Sequence, residues 1–281
     1  MLSIVKIQGG YGNQIFQLLF INYLKQQNQK VVVSTSWFTN KEYLKYENTT
    51  SRLLELNLNK LKLIEVSRML LFLLEVLKFL CKSKFFKKIL YRLKIFNFHQ
   101  GQRLPDKYCL INLFEGYWQS VNLENYNFKF LEDKILEETS NNVIKDKNYD
   151  NKVLVHFRFG DFQRANKVLP IEYYQKSIDY FNNLNFTPEF IVFADEMKNL
   201  NLNSIFKHNK YMIYSNNSIE NSNDLLHNFV KFKHIISSNS TLSIIAAVLI
   251  KEKGGIAVVP LDFEDNIFNV KENKEFFNLY E

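Results

Sequence analysis

The stretch "VLVHFRFGDF", Val153 to Phe162, decides the fold. It reads as a buried strand that runs into a turn at Gly160, and Pro170 then stands just before a helical run from Ile171 to Leu184. From there the pattern repeats to the end of the chain. "EFIVFAD" is a strand, "EMKNLNLNSIF" a loop with a short helix, and "KYMIYS" another strand. A helix follows over Asn223 to Lys233, with Asn223 or Asp224 near its cap. "HIISSNS" is a strand into a polar turn, Thr241 to Lys251 a helix, and "GIAVVP" a final strand. Strands alternating with helices are the mark of a parallel sheet wrapped by helices.

Working back towards the N-terminus, the polar run "DKNYDNK" (Asp146 to Lys152) separates this half from an earlier one. "IQGGYGNQIFQLLF" (Ile7 to Phe20) holds three of the chain's eight glycines within four residues. It lies between a strand over Ser3 to Ile7 and a helix over Gln14 to Gln27, with "KVVVST" (Lys30 to Thr35) a second strand. Lys60 to Phe96 reads as mostly helical. "CLINLFEGYWQS" (Cys109 to Ser120) contains a buried strand ending in a tight turn at Gly116, and Asn125 to Glu138 reads as helical. The expectation is an α/β protein of two domains, 1–150 and 151–281, with a basic, apolar helical insertion at about 60–100.

Composition narrows the class. A hydrophobic fraction of 46% with 15% aromatic residues describes a packed chain and excludes a disordered one. Cys81 and Cys109 show no metal-ligand spacing and fit a reducing compartment. Met1 is followed by "LSIVKI", which has no basic leader, so a cytoplasmic protein is expected. The net charge of +7 is concentrated: Val66 to Phe96 carries eight basic residues and the single acid Glu75. The same segment holds "MLLFLLEVLKFLC", too short to span a bilayer. Apolar and basic residues recur there at roughly helical spacing. That fits either a helix lying peripherally on an anionic membrane or a core helix followed by a solvated one. No nucleic-acid motif accompanies the charge.

In open α/β sheets ligands sit outside the carboxyl ends of strands, and four such places carry chemistry. Gly9-Gly10-Tyr11-Gly12-Asn13-Gln14 matches neither standard nucleotide fingerprint. It is either an anion site at a helix start or simply the turn that begins the helix. In "VHFRFGDF", His156 and Arg158 lie two apart and point to one side of a strand. Together they can hold a phosphate, or Arg158 belongs to an internal Arg–Asp ion pair. In "FADE", Asp195 and Glu196 are placed to meet a ribose or base, or to cap a helix. "SSNST" (Ser237 to Thr241) is an anion-binding turn or an N-cap. There is no D-x-D triplet and no metal-spaced cluster of His, Cys and acids.

Taken in order, these motifs resemble those of the α-1,2-fucosyltransferases of glycosyltransferase family 11. "GGYGNQIFQLLF" resembles the family's G-G-x-G-N-Q-x-F-Q-x-x-F signature, and "EGYWQS" its G-Y-[WF]-Q-S segment. "VHFRFGDF" is similar to V-x-I-H-x-R-R-G-D-Y, and "LPIEYYQKSIDYF" to L-P-x-x-Y-Y-x-x-A-I. "FIVFADE" resembles F-x-I-F-S-D-D, and "DLLHNFVKFKHIISSNSTLSIIAA" the block around N-S-S-F-S-W-W. The resemblance runs from residue 4 to about 260 and leaves out the 48–100 region.

The resemblance implies a GT-B-like fold, two Rossmann-like domains facing a cleft, with GDP-β-L-fucose as donor substrate and no metal or other cofactor. Transfer inverts the anomeric centre and forms an α-1,2 link, usually to galactose. By position, the resemblance puts Arg158 on the diphosphate and His156 in support of the donor site, with Asp161 as a candidate base. Gly10, Gly12 and Asn13 would lie beside the diphosphate and sugar, and Asp195 or Glu196 would meet the guanosine. Asp224, Ser238, Asn239, Ser240 and Thr241 complete the donor side; Tyr117, Trp118 and Gln119 belong to the acceptor side. The acceptor implied is an oligosaccharide, lipid-linked at the cytoplasmic membrane face, such as an O-antigen precursor. Three departures stand out: Phe159 replaces a second arginine, Ile244-Ile245 a tandem tryptophan, and the "ADE" acids an Asp-Asp pair. They leave open another GDP-deoxyhexose donor. A nucleotide-binding protein without catalysis is the alternative of a different class.

Overall fold

Two parallel sheets carry the chain, one in each of two compact units, Met1–Lys134 and Ile135–Glu281. The computed structural model describes residues 1–39, 53–100, 107–119, 125–136, 149–164, 166–196, 200–214, 221–260 and 278–280. The α/β class expected from the strand–helix alternation is the class observed.

The first unit contains β1 (Leu2–Lys6), α1 (Tyr11–Gln26), β2 (Lys30–Ser34), α2 (Arg68–Leu80), α3 (Lys84–Arg92), β3 (Phe96–Gln100), β4 (Ile111–Glu115) and the short α4 (Phe128–Leu131). Its four strands run in the order β2-β1-β4-β3, every neighbouring pair parallel. Ile4 stands opposite Val32 on one side and Leu113 on the other, and these three share a core with Phe96 and Leu74. Helix α1 starts at Tyr11, earlier than the Gln14 expected, because Gly10 is the extended residue before it and Gly12 is already helical. Eleven of its sixteen residues are buried, so it is a core helix whose polar members need internal partners. β3 was not anticipated, since it continues directly from the basic helical run.

The second unit contains β5 (Lys152–Phe157), α5 (Gly160–Arg164), α6 (Ile171–Asn182), β6 (Glu189–Ala194), α7 (Leu202–Phe206), β7 (Tyr211–Tyr214), α8 (Ser222–Phe229), β8 (His234–Ile236), α9 (Thr241–Glu252), β9 (Ile256–Pro260) and β10 (Asn278–Tyr280). The sheet order is β10-β9-β8-β5-β6-β7, all parallel. Read from the β7 edge, this is the 3-2-1-4-5-6 order of the doubly wound dinucleotide fold, in which the winding reverses beside the first strand. Here the reversal falls between β5 and β8. Every residue of β5 is buried, as a central parallel strand requires. Nine of twelve residues of α9 are buried as well. The cap of α8 is Asn221, not Asn223 or Asp224. Within the run Asn221-Ser222-Asn223-Asp224, Asn221 Oδ1 accepts from the Asp224 N–H (2.8 Å) and Asn221 Nδ2 donates to Asp224 Oδ2 (3.2 Å), a reciprocal cap.

Among the described residues, no helix is long and apolar enough to cross a membrane. Cys81 and Cys109 are free thiols.

Candidate functional site

The reversal point of the second sheet collects most of the residues singled out by sequence. β5 and β8 are neighbours, Val155 opposite Ile236, so the segments leaving their carboxyl ends adjoin. Past β5 come Arg158, Phe159 and Gly160; past β8 come Ser237, Ser238, Asn239 and the start of α9. His156, one residue before the end of β5, bridges the two. Its Nδ1 lies 2.9 Å from Ser238 Oγ, and that oxygen accepts from the Ser240 N–H at 3.2 Å. The side chain of Ser240, the N-cap of α9, accepts no hydrogen bond from the first turn of the helix. Ser238 is fully buried, while Ser240 and Thr241 are half-buried.

Two tyrosines of α6 fasten this arrangement. Tyr173 donates its hydroxyl to the Ser237 carbonyl (2.8 Å) and Tyr174 to the His156 carbonyl (3.2 Å). Burial raises both phenols far above their ordinary range, so each stays a protonated donor. Neither was assigned a role from sequence, although both sit in the "LPIEYY" segment. An adjacent Tyr pair on the first turn of a helix that follows the strand was the available signal.

Arg158 is a half-buried cation at the end of β5. Its Nη1 lies 2.9 Å from Asp195 Oδ2 at the end of the adjacent β6, and its side chain keeps 33% of its surface accessible. Asp195 Oδ1 accepts from the Phe159 N–H at 2.8 Å. One carboxylate therefore fixes both the guanidinium and the backbone that carries it. Gly160 fits this contact because a Cβ there would come within 2.9 Å of Asp195 Oδ2. The Arg158 guanidinium also stands over the Phe162 ring, 5.7 Å from its centroid. Phe159, in place of the family's second arginine, packs against the apolar core and stacks on Phe157.

His156 cannot share a phosphate as a second cation. Burial first, and then the neighbouring Arg158 charge, lower its pKa from 6.5 to about 3, so the imidazole is neutral. It is 4% exposed and meets Phe229 edge-on. Its work is to position Ser238. Asp195, expected at the guanosine, is occupied by Arg158 and the Phe159 N–H, while Glu196 is exposed. Asp224 is buried in the α8 cap. Asn239 donates Nδ2 to the Lys167 carbonyl at 2.6 Å, and its buried Oδ1 has no protein partner among the described residues. Asp161 lies on α5; its side chain is outside the described residues.

The first unit repeats the theme at the carboxyl ends of β1 and β4, again neighbouring strands. Gly9 has φ +78°, and a Cβ on it would fall 2.7 Å from Asn13 Nδ2 and 2.9 Å from the Tyr117 ring. Only glycine fits there comfortably. Asn13, half-buried, accepts at Oδ1 from Gln119 Nε2 at 2.6 Å. Gln14 and Gln17 are fully buried and satisfy backbone: Gln14 donates to the Gly9 and Leu53 carbonyls, and Gln17 to the Gly116 carbonyl. The glutamines of the motif thus hold the turn, and Asn13 is its partly open polar group. Trp118 was expected on the acceptor side. It is instead a core residue, 0% exposed, stacked on Phe20 at 4.2 Å and edge-on to Phe114. Gln119 is buried and orients Asn13, so Tyr117 alone of the three is half-buried. Among the described residues, no three His, Cys, Asp or Glu side chains are grouped as metal ligands.

The family model for glycosyl transferase family 11 matches residues 1–278. The chain is 24% identical over 269 residues to the O-antigen biosynthesis glycosyltransferase WbnK of Escherichia coli, covering 84% of this chain and 86% of that protein. Among solved structures, the fucosyltransferase NodZ from Bradyrhizobium aligns over 88% of this chain and 92% of its own, with 9% identity and a TM-score of 0.42. The heptosyltransferase WaaC of E. coli with ADP aligns over 95% and 89%, with 10% identity and a TM-score of 0.40.

Proposed function

The chain belongs to glycosyl transferase family 11, and from that premise we propose that it is an inverting α-1,2-fucosyltransferase. The reaction moves L-fucose from GDP-β-L-fucose to a galactose, or similar hexose, of a bacterial surface-glycan precursor such as an O-antigen repeat. The observation that carries the reading is Arg158, held half-exposed by Asp195 at the reversal point of a doubly wound sheet, beside the start of α9. A leaving nucleoside diphosphate gathers negative charge as the glycosidic C–O bond breaks. A pre-positioned guanidinium and helix N–H groups stabilise that charge without reorganising.

In this reading Arg158 receives the diphosphate, and Ser240 and Thr241 line it. His156, Tyr173 and Tyr174 keep the two strand ends in register. Asn13 and Tyr117 serve the sugar side, Asp161 is the candidate base, and no metal takes part. An acceptor linked to lipid at the cytoplasmic membrane face brings the segment Val66 to Phe96 against that membrane. Purified protein incubated with a panel of GDP-sugars and β-galactosides tests the reading by released GDP and product mass. Turnover with GDP-fucose and a product bearing an α-1,2 link supports it; release of GDP only with another donor overturns it.

A further inference from the structure

Helix α2 is apolar on two sides, and only one of them is covered. Leu70, Leu71, Leu74 and Leu77 face the sheet and pack on the core that contains Ile4, Val32 and Leu113. The opposite stripe, Met69, Phe72, Leu73, Val76 and Phe79, recurs at the same three- and four-residue spacing and is exposed, Met69 by 82% and Phe72 by 73%. A globular helix normally turns charge to water on that side. Here the exposed charges of the helix are reduced to Arg68 and Glu75. Helix α3 follows directly and has no buried residue at all. Phe85, Phe86 and Ile89 form its exposed apolar side, continued by Leu93. Lys84, Lys87, Lys88 and Arg92 are exposed beside it, with Lys82 and Lys94 just outside the helix, while Leu90 packs on the core of the sheet.

We propose that the outer stripe of α2 and the apolar side of α3 form one docking surface for an anionic lipid bilayer. Aromatic and aliphatic side chains would enter the headgroup boundary, and the surrounding lysines and arginine would meet anionic headgroups. Charge decides the occupant. A second copy docking by the same face would bring two rims of six or more cations together, which like-charge repulsion opposes. A lipid surface of opposite sign has no such conflict.

The surface is also fastened to the candidate site of its own unit. Lys78, on the flank of α2, donates to both carboxylate oxygens of Glu115 at 2.8 and 2.7 Å, and Lys6 at the end of β1 lies 3.5 Å from the same group. Glu115 is the last residue of β4, directly before Gly116 and Tyr117. A bilayer-bound α2 therefore holds the Tyr117 turn at a set height above the lipid. This deepens the lipid-linked acceptor of the proposed function and rests on it for its purpose, though not for its test.

The test is flotation of the purified full chain with phosphatidylglycerol-containing vesicles and with pure phosphatidylcholine vesicles, without donor or acceptor. The chain is expected to float with the anionic vesicles at low salt, to be released at high salt, and to stay soluble with phosphatidylcholine. Each of Lys84→Gln, Lys87→Gln and Lys88→Gln should weaken binding roughly fivefold. The pair Phe72→Ser and Phe79→Ser should abolish flotation while transfer to a water-soluble galactoside persists. If that pair does not fold, Phe85→Ser with Ile89→Ser serves, because both side chains are exposed and the helix packs on the core through Leu90. A soluble wild-type chain at low salt overturns the proposal, as does flotation unchanged by these substitutions. So does a dimer in sedimentation that the same substitutions dissolve. Failure of flotation leaves the transferase assay untouched, and failure of that assay leaves flotation untouched.

Discussion

Arg158 Nη1 stands 2.9 Å from Asp195 Oδ2, so the cation at the end of one strand is steadied by the carboxylate at the end of its neighbour. The same carboxylate takes the Phe159 N–H. In the proposed reaction Asp195 is therefore expected to act through Arg158, as a positioning residue.

Two substitutions separate these roles. Arg158→Ala is expected to lower kcat of the proposed transfer by about 10²- to 10³-fold, the usual cost of losing one donor to a developing anion, with the circular dichroism spectrum unchanged. Asp195→Asn keeps the acceptor for Phe159 but removes the charge that orients the guanidinium, and should cost about 10- to 100-fold in kcat. Arg158→Lys should restore little of the loss, because an ammonium has no fork. Normal kcat in Arg158→Ala would take the residue out of the mechanism.

The neutral His156 ties stability to pH. Its folded pKa, about 3, lies below its ordinary value of 6.5, so the unfolded chain binds the proton first. Stability is whole above about pH 6.5 and falls as the pH drops towards 3, by about 1.4 kcal/mol per pH unit for this one group. His99, lowered to about 4 chiefly by burial, adds to the same slope. Urea midpoints for the wild type should therefore decline between pH 7 and pH 5, and His156→Gln should decline less. Equal slopes would remove His156 from the account.

Gly9 and Gly254 both have positive φ, +78° and +73°, yet only Gly9 is crowded. Gly254→Ala should cost about 1–2 kcal/mol, from the backbone alone. Gly9→Ala should cost more, because Asn13 and the Tyr117 ring must also move, and it should lower activity. Thermal scans of the two variants check the order; a smaller loss for Gly9 would contradict the packing argument.

In the proposed reaction the counter-charge for the diphosphate comes from Arg158 and helix N–H groups. Transfer should therefore be unaffected by EDTA, and added magnesium should not rescue Arg158→Ala. Loss of activity in EDTA, restored by a divalent cation, would assign the charge to a metal.

Much of this was legible in the residues themselves. The apolar run of β5, the glycine turn after β1 and the hydroxyl-rich turn before α9 each announce a strand end, and sheet topology does place them at strand ends. Pairings between distant segments were not legible. Nothing in "FADE" says that Asp195 meets Arg158, because that depends on β6 lying beside β5. The resemblance puts Trp118 on the acceptor side with Tyr117 and Gln119, yet a positive φ of 59° accompanies its place in the aromatic core. β3 escaped notice because "FNFHQ" follows a basic helical run and its pairing with β4 becomes apparent only in the sheet. The neutral state of His156 follows from its burial, which the residues alone do not show.

The division of the chain carries one more consequence. Among the described residues each sheet is assembled from a single contiguous stretch, the first ending at Glu115 and the second beginning at Lys152. During synthesis the first sheet is whole before any strand of the second has left the ribosome, so the two units fold in series. The outer stripe of α2, exposed in the finished chain, is already exposed at that stage. A ribosome-bound fragment ending between the units is thus expected to present the same apolar stripe as the finished chain.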